Sequence, residues 1–560
     1  MSDWIFYGAA FGIGIILVVV NMYKAEKAKK KRFLENLDDE WGKAPQREYT
    51  YEEYETISHY YKSGKYKYEI DDITWNDLDM DSVFKAMNNT HSCLGAEVLY
   101  KMLRVPSFEQ EVLEERNRLV NYMSGHKEQR KKLQVIFSMI GRTSRYAVTD
   151  YIGILDTIKS SSNRKHYLIA AMSSASIITM FFMPIVGIML LLIIFTISAV
   201  TYYQEKAQVE PFLTSFAYVL RMLKASELIQ KENIEELKEY CQELKELNKR
   251  LNAFRKNSGV LMSMKRSGNP MDAILDYVRM FFHVDLIKFN QMVSVLKREQ
   301  ETCKRMIELM GTIEASIAIA SFRKFLPYYS LPVLENSKEG YMELEEVYHP
   351  MLSQAVSNHI SIQKGALITG SNASGKSTFL KTVAINAVLS QTIYTSVSKQ
   401  YRAPFFRVYS SMSLRDNLAG NESYYMVEIK SLRRILEASK EGETPLLSFV
   451  DEVLRGTNTV ERIAASSYIL KELNQKHVLS FAATHDIELT YLLEQEYDNF
   501  HFTEEIKEGD ILFSYKLYEG RTQSRNAIKL LELMGYDKNI VESATKCADN
   551  FLKTGQWHMV

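Results

Sequence analysis

The sequence predicts an α/β domain with a mainly parallel sheet in the C-terminal part of the chain, preceded by an all-α region and by transmembrane helices. Past Pro327 and Pro332, short apolar segments typical of strands alternate with helical ones. In residues 75–160 and 205–335 the apolar side chains recur at helical spacing. Two further stretches carry no charged residue over lengths that suffice to cross a bilayer.

The composition of the chain excludes few classes of function. A chain of 560 residues fits roughly two to four structural units. Its 69 basic and 69 acidic residues balance, so the overall charge does not indicate a polyanion-binding protein, and nucleic-acid binding must be argued locally. The four cysteines lack paired spacing, which argues against a disulfide framework or a zinc site and fits a reduced, cytoplasmic compartment.

The N-terminal residues 1–23 are predicted to be a membrane anchor. From Trp4 to Tyr23 no residue is charged, and six of the nine residues in 24–32 are basic. The segment lacks a small-residue cleavage site, so we expect an uncleaved anchor with its basic flank in the cytoplasm and the N-terminus outside. Residues 24–74, which are charged and rich in tyrosine, are interpreted as a basic juxtamembrane linker or peripheral structure.

A second uncharged stretch, residues 167–204, is predicted to form a transmembrane helical hairpin. It is too long for one span, and Pro184 to Gly187 supply a turn at its centre. Both ends would then lie in the cytoplasm, which predicts a multi-pass protein of the cell membrane whose residues 205–560 face the cytoplasm. The alternative is a buried core hairpin in a soluble protein, although core helices rarely stay free of charge for so long.

A glycine loop that follows the apolar strand 366–369 has the pattern of a phosphate-binding site. Gly370 and Gly375 permit backbone conformations in which successive N–H groups point at phosphate oxygens beside a helix N-terminus. Lys376 is expected to pair with the β- and γ-phosphates of ATP, and Ser377 to ligate Mg²⁺ through its hydroxyl group. The predicted phosphate-binding residues are Gly370, Ser371, Asn372, Ala373, Ser374, Gly375, Lys376, Ser377 and Thr378.

Two later strands end in polar residues that complete the predicted ATP site. The apolar strand 446–450 runs into Asp451 and Glu452, where Asp451 is expected to hold Mg²⁺ and Glu452 to activate the attacking water as general base. The strand 478–483 runs into Thr484 and His485. Because ligands bind at the carboxyl ends of the strands of such sheets, His485 is expected to sense or position the γ-phosphate. The predicted catalytic residues are therefore Lys376, Glu452 and His485.

These motifs resemble those of the MutS-type mismatch-repair ATPases. The loop 369–378 is similar to the family's T-G-x-N-x-x-G-K-S-T, residues 451–459 to its D-E-x-x-R-G-T-x-T, and residues 483–485 to its A-T-H. Weaker similarities lie at His349-Pro350, at Asn358, and in a region that resembles the family's signature, residues 416–420 and 423–428.

The resemblance implies a domain organisation and a set of partners. It implies an ABC-type P-loop ATPase domain over residues 336–545, a C-terminal tail over 546–560, and an all-α lever region in two parts, 75–166 and 205–335. It implies a homodimer with composite ATP sites, in which Ser423 of one subunit contacts nucleotide held by the other. DNA, mismatched or branched, is the partner that the family implies, whereas the sequence names no protein partner.

The departures from the family leave the function open. The family's mismatch-reading domain with its Phe-x-Glu element is missing, since Phe33-Leu-Glu35 only abuts the basic juxtamembrane run, and residues 205–335 lack the alternating strands of the family's DNA clamp. One alternative is the ATPase subunit of a membrane transport or envelope assembly system with no DNA role. Another is a scaffold in which ATP only locks a dimer, although Glu452 argues for hydrolysis.

Overall fold

The helices of the N-terminal half follow one another without any intervening strand among the residues that the structure describes. The structure is a computed structural model that describes residues 20–21, 24–25, 27–142, 150, 162–209, 212–262, 277–371, 374–412, 424–454, 457–507, 510–522 and 527–557. The helices up to residue 325 include α1 (Tyr51–Lys62), α2 (Asp72–Asp77), α3 (Met80–Met87), α4 (Cys93–Arg104), α5 (Gln110–Gly125), α6 (Lys127–Ile140), α7 (Arg164–Phe182), α8 (Pro184–Val209), α9 (Leu213–Lys231), α10 (Lys238–Arg250), α11 (Asn252–Met262), α12 (Val284–Arg298) and α13 (Gln300–Phe325).

Strands and helices alternate in the C-terminal part, as the sequence predicts. The strands are β1 (Val333–Glu335), β2 (Met342–Val347), β3 (Asn358–Ile362), β4 (Gly365–Thr369), β5 (Gln400–Pro404), β6 (Arg407–Ser411), β7 (Leu446–Asp451), β8 (Val478–Thr484), β9 (Tyr497–Lys507) and β10 (Asp510–Glu519). The helices are α14 (Lys376–Thr392), α15 (Tyr424–Ser439), α16 (Thr459–Glu472), α17 (Ile487–Leu492), α18 (Ala527–Leu533) and α19 (Lys538–Thr554).

The chain divides into two compact units, each built from separate stretches of sequence. The helical unit comprises residues 1–65, 87–101 and 118–325, and the sheet unit comprises residues 66–86, 102–117 and 326–560. All the described strands belong to the sheet unit, so the expectation of a helical region followed by an α/β part is confirmed. The stretch 24–74, expected to be linker or peripheral structure, contains a helix over residues 27–40 as well as α1 and α2.

The sheet unit contains a six-stranded sheet of order β10-β9-β4-β8-β7-β6 and a four-stranded sheet of order β1-β5-β2-β3. In the larger sheet the strands from β9 through β6 are parallel, and only β10 runs antiparallel to its neighbour. The central strands β4 and β8 are buried along their whole length. Strands buried on both faces read as continuous apolar runs, which is why the sequence reveals them so clearly.

Residues 68–77 cover the edge of the six-stranded sheet at β6. The Tyr68 hydroxyl group accepts a hydrogen bond from the Val408 amide (2.6 Å) and donates one to the Val408 carbonyl (2.8 Å). Asp77, which is buried, accepts hydrogen bonds from the Ser410 hydroxyl (2.7 Å) and the Met412 amide (2.9 Å). Since an open strand edge is a template for pairing with other chains, these contacts protect the sheet edge. We call residues 68–77 the edge cover.

Of the three membrane spans expected from the sequence, the described residues contain one helix that is long and apolar enough by itself. This segment is Pro184–Lys206, with a mean hydropathy of 2.5. Its partner α7 forms the other arm of the expected hairpin but begins with Arg164, Lys165 and His166. The expected anchor, residues 1–23, lies almost entirely outside the described residues. A hairpin is thus present, whereas three separate spans are not supported.

Two glycines allow helices α4 and α13 of the helical unit to cross at close range. A Cβ atom on Gly311 would collide with the Val98 side chain and would lie 2.9 Å from the Leu94 carbonyl oxygen, and a Cβ on Gly95 would collide with Glu314. Glu314 is buried and accepts hydrogen bonds from the His91 amide (2.5 Å), the Ser92 amide (3.1 Å) and the Ser92 hydroxyl group. A buried carboxyl group on α13 therefore fixes the two residues that lead into α4.

We expect Gly311→Ala to destabilise the helical unit. The added methyl group has no room at the crossing of α4 and α13, and overpacking of this kind costs about 1–3 kcal/mol. The matched control is Gly125→Ala, because a Cβ at this helix end meets nothing within 4 Å. Urea unfolding followed by circular dichroism measures both variants. Equal stability of the two variants would show that the crossing is looser than described.

The stability of the helical unit should fall as the pH rises through 7, because burial raises the pKa of Glu314 to about 7 from its ordinary value of 4.5. The protonated carboxyl group is favoured by folding, so its contribution is complete below pH 4.5 and is lost as the pH rises through about 7. Glu314→Gln keeps the acceptor oxygen and does not ionise. Unfolding free energies measured between pH 5 and 8 should therefore depend less on pH in this variant, and parallel curves for variant and parent would contradict the assignment.

Candidate nucleotide-binding site

The glycine loop lies between the buried strand β4 and the N-terminus of α14. Gly370 has φ 150° and Gly375 has φ 108°, conformations that side chains beyond glycine rarely adopt. A Cβ on Gly370 would lie 2.9 Å from the Phe502 carbonyl oxygen, so the loop also has no space for a larger residue there. Helix α14 begins at Lys376. The first amides of a helix have no partner within it, and those of α14 lie next to the loop.

The ammonium group of Lys376 is held inside this loop. Its Nζ atom donates to the carbonyl oxygens of Gly370 and Ser371, both at 2.8 Å, and lies 3.4 Å from Nε2 of His485. The Lys376 side chain is buried although the group is cationic. Carbonyl oxygens can hold a buried ammonium group in place, where it presents its charge to an anion at the loop.

The carboxylates after β7 lie beside this loop. Strand β7 pairs with β8 through Asp451, and the Glu452 amide continues the pairing by donating to the Ala483 carbonyl oxygen at 2.9 Å. Glu452 and Leu454 both have φ 57°, so the chain turns sharply as the strand ends. Glu428 of α15, which is buried, accepts a hydrogen bond from the Leu454 amide and fixes this turn.

His485 lies next to both the Glu452 carboxylate and the loop lysine. Its Nε2 atom lies 2.8 Å from Oε1 of Glu452, so this nitrogen carries the proton that is donated to the carboxylate. The next residue, Asp486, accepts two hydrogen bonds from Arg462 of α16, at 2.6 Å and 2.9 Å. Such a bidentate pair orients the turn that carries His485.

The glycine loop and the carboxylates after β7 line one cavity of about 540 Å³ in the sheet unit. Ser377, Thr378, Lys376, Asp451 and Glu452 contribute to its wall. The remaining lining residues are Val347, His349, Leu352, Gln354, Ala355, Val356, Asn358, Ser371, Ser374, Gly375, Phe379, Thr382, Phe502 and Tyr515. The wall of the cavity therefore combines polar groups of the loop and the carboxylates with apolar side chains from both sheets.

Tyr515 of the cavity wall and Glu504 beside the loop carry no signal in the sequence, whereas His349 and Asn358 lie in segments that resemble the MutS family. Tyr515 faces Gly375, whose Cβ would lie 3.2 Å from its ring, and Glu504 accepts a hydrogen bond from the Ser371 hydroxyl at 2.7 Å. Burial lowers the pKa of His349 to about 4, so its imidazole is neutral at pH 7 and offers no charge to a ligand. Asn358 instead joins β3 to β10, accepting from the Leu517 amide at 2.8 Å and donating to the Tyr515 carbonyl oxygen at 3.1 Å.

The structure brings most of the expected site residues together but does not describe all of them. Lys376, Ser377, Asp451 and Glu452 line one cavity, and His485 is in contact with two of them. Asn372, Ala373 and Ser423 lie outside the described residues, as do residues 413–422 of the region that resembles the MutS signature. The roles of individual residues accordingly stay predictions.

The arrangement defines a class of protein. A buried strand, a glycine loop, a lysine and a helix N-terminus, facing a carboxylate pair on a strand of the same sheet, characterise P-loop nucleoside triphosphate-binding domains. Within that class, residues 366–552 match the family model of MutS domain V. The part of the chain that carries the candidate site is thus similar to the MutS ATPase domain.

Curated relatives agree with this match over part of their length. The DNA mismatch repair protein MutS of Thermus thermophilus is 31% identical over 179 residues, which are 32% of this chain and 22% of that protein. MutS of Finegoldia magna is 29% identical over 289 residues, 48% of this chain and 33% of that protein, and MutS of Thermotoga petrophila is 26% identical over 275 residues, 47% and 34% respectively. The chain therefore matches about a third or less of the length of these relatives.

We expect Gly370→Ala to abolish nucleotide binding. Alanine is strained at φ 150°, and its methyl group would press against the Phe502 carbonyl oxygen and the Ser374 hydroxyl, so the loop would have to open. Gly442→Ala is the control, since its Cβ has no neighbour closer than 4.0 Å. Binding of a fluorescent ATP analogue, measured by titration, distinguishes the two variants. Unchanged affinity in Gly370→Ala would exclude this loop as the phosphate site.

Proposed function

We propose that this chain is a membrane-associated, MutS-like enzyme that hydrolyses ATP with Mg²⁺ and uses the cycle to move its helical unit. The observation that carries the proposal is that Lys376, Asp451 and Glu452 line a single cavity while His485 contacts both Lys376 and Glu452. The match of residues 366–552 to MutS domain V supports the same chemistry.

Each of the catalytic groups has a role that follows from its surroundings. Lys376 would bind the β- and γ-phosphates with the ammonium group that the loop carbonyls already hold. Glu452 would take the proton of the attacking water, and His485, which donates to Glu452, would hold that carboxylate in place. Because His485 lies close to Lys376, it would also sense the negative charge of a phosphate group bound by that lysine.

The residues expected to hold Mg²⁺ carry the oxygen ligands that this ion prefers. Ser377 and Asp451 both line the cavity and offer a hydroxyl and a carboxylate oxygen. Oxygen ligands of this kind, together with phosphate oxygens, are those that Mg²⁺ prefers in nucleotide sites. The ion would neutralise charge that develops on the phosphates during transfer. Ser377 and Asp451 need only orient it.

The partners are proposed from the similarity to MutS. We propose a homodimer in which Ser423 of one subunit completes the ATP site of the other, since a serine ahead of the first turn of α15 is suited to phosphate. The relatives are named as DNA mismatch repair proteins, and we propose that this chain also acts on DNA, mismatched or branched.

We further propose that the chain is held at the cell membrane with its ATPase domain in the cytoplasm. Helices α7 and α8 form a hairpin whose second arm is long and apolar enough to enter a bilayer, and only 22% of its apolar window is buried by the rest of the chain. Such extensive apolar exposure is costly in water. A transport or envelope-assembly ATPase without a DNA role is the alternative, but neither the cavity nor the related proteins favour it.

Replacement of Glu452 by glutamine should reduce the ATPase rate by about 10²- to 10⁴-fold, the range expected for loss of a general base. Nucleotide binding should survive, because Lys376 and the loop are unaltered. The control is Glu437→Gln, which changes an exposed carboxylate on α15. Phosphate release and ATP binding are measured on the same purified full-length protein. Equal turnover in parent and Glu452→Gln would contradict the proposed role.

The DNA proposal predicts binding that depends on nucleotide and on salt. The full-length protein in detergent is titrated with homoduplex, mispaired and branched DNA, with and without ATP, at low and at physiological ionic strength. We expect ATP to change the affinity for at least one DNA, and salt to weaken it, because phosphate contacts release counterions. Absence of any ATP-modulated binding at low salt would reject a DNA role while leaving the ATPase proposal intact.

A further inference from the structure

We propose that the α7–α8 hairpin enters the bilayer from one face only, with its tip, residues 181–186, resting in the hydrocarbon instead of emerging on the far side. This inference rests on the proposed membrane location and adds the path of the chain within the membrane. The partner it requires is a lipid bilayer. It is argued from the composition, the backbone, the length and the base of the hairpin.

The tip contains only apolar side chains, and they are exposed. Phe181, Phe182 and Ile185 are 77%, 81% and 78% exposed, and Met183 and Val186 are exposed as well. Exposing such an apolar surface to water on the far side of a membrane is unfavourable, whereas its contact with hydrocarbon is not. A polar or charged residue would be expected at an emerging turn, and residues 180–190 contain none.

Part of the tip backbone is already satisfied within the hairpin. Pro184 begins α8 and has no N–H, the Met183 amide donates to the Thr179 carbonyl at 2.7 Å, and the Gly187 amide donates to the Met183 carbonyl at 2.8 Å. A Cβ on Gly187 would collide with the Met180 backbone, so the two arms touch directly at the tip. Backbone groups must be satisfied internally to lie in hydrocarbon. The Met183 and Gly187 amides are satisfied in this way, and Pro184 has no amide proton to satisfy.

The first arm is too short to carry the tip across a bilayer. From Tyr167 to Phe182 a helix rises about 22 Å, whereas the hydrocarbon core is about 30 Å thick. The lower half of the hairpin is also fastened to the helical unit: Ser173 donates to the Phe281 carbonyl (2.9 Å), and Ser198 to the Met280 carbonyl (2.8 Å). From Ser173 to Phe182 only about 14 Å remains.

The base of the hairpin has the chemistry of a membrane surface. Tyr167 and Tyr203 are exposed at the bottom of the two arms, where their rings suit the interface between hydrocarbon and head groups. Arg164, Lys165 and Lys206 lie next to them and complement anionic lipid head groups. Lys165 is also paired with Glu205 at 2.7 Å, which ties the two arms together at this level. The charged base and the apolar tip define a direction of entry.

The test places a single reactive cysteine at the tip of the full-length chain. Met183→Cys and, as the matched control at the base, Gln204→Cys are made in a chain whose four native cysteines are serine. The proteins are reconstituted into vesicles of phosphatidylethanolamine and phosphatidylglycerol and treated with a charged maleimide, outside the vesicles or enclosed within them. We expect Gln204→Cys to react from the side that carries the sheet unit, and Met183→Cys to react from neither side until detergent is added.

Three outcomes would overturn the inference in different ways. Reaction of Met183→Cys from the opposite side alone would show that the hairpin crosses the bilayer. Reaction of both cysteines from the same side at equal rates would show that the hairpin lies in water or against a second copy of the chain. Failure of the parent protein to float with the vesicles would reject the membrane location itself, which is a separate result.

A second variant gives the same answer without replacing the cysteines. Phe182→Trp places a fluorophore at the tip with little change in shape, and its emission is obtained by subtracting the spectrum of the parent. Lipids that carry a quencher near the ends of their acyl chains should quench this tryptophan more strongly than lipids that carry it near the head group. The reverse order would place the tip at a membrane surface and contradict the proposal.

Discussion

The candidate site depends on one constraint, which is that β4, β7 and β8 are parallel neighbours in one sheet and therefore end at the same edge. The loop after β4, the carboxylates after β7 and His485 after β8 meet there although more than a hundred residues separate the first from the last. The buried ammonium group of Lys376 lies at the centre of this meeting, held by loop carbonyls and close to the His485–Glu452 pair. A change in sheet order would separate all of these groups.

The sequence predicts that these residues lie at one sheet edge for a physical reason. Strands buried on both faces must be continuous apolar runs, and the polar residues that follow them must lie at the ligand edge, so Asp451, Glu452 and His485 can be read locally. The other wall of the cavity is different. Phe502 and Tyr515 of this wall, and Glu504 that accepts from Ser371, come from the antiparallel pair β9 and β10, and their positions depend on a register that no local pattern fixes.

The helical unit shows a similar limit on what sequence can reveal. Helical spacing predicts α4 together with its end before Pro106, because periodicity and a helix breaker are local. That Gly95 and Gly311 meet across a helix crossing, with the carboxyl group of Glu314 between them, depends on residues more than two hundred positions apart. Likewise, the tyrosines of residues 24–74 show no period, since several of them pack on other helices: Tyr54 contacts Tyr100, and Tyr60 donates to Glu308.

The edge cover at residues 68–77 has a consequence for how the protein is made. Tyr68 and Asp77 are bonded to residues 340 and 333 positions later in the chain. During synthesis the edge cover leaves the ribosome long before β6, the strand that it protects. Until β6 is made, the edge cover cannot form these hydrogen bonds. Long-range pairing of this kind is slow and leaves intermediates open to association. A shortened chain that begins after residue 77 would carry the complete nucleotide cavity and yet have a bare sheet edge throughout its life.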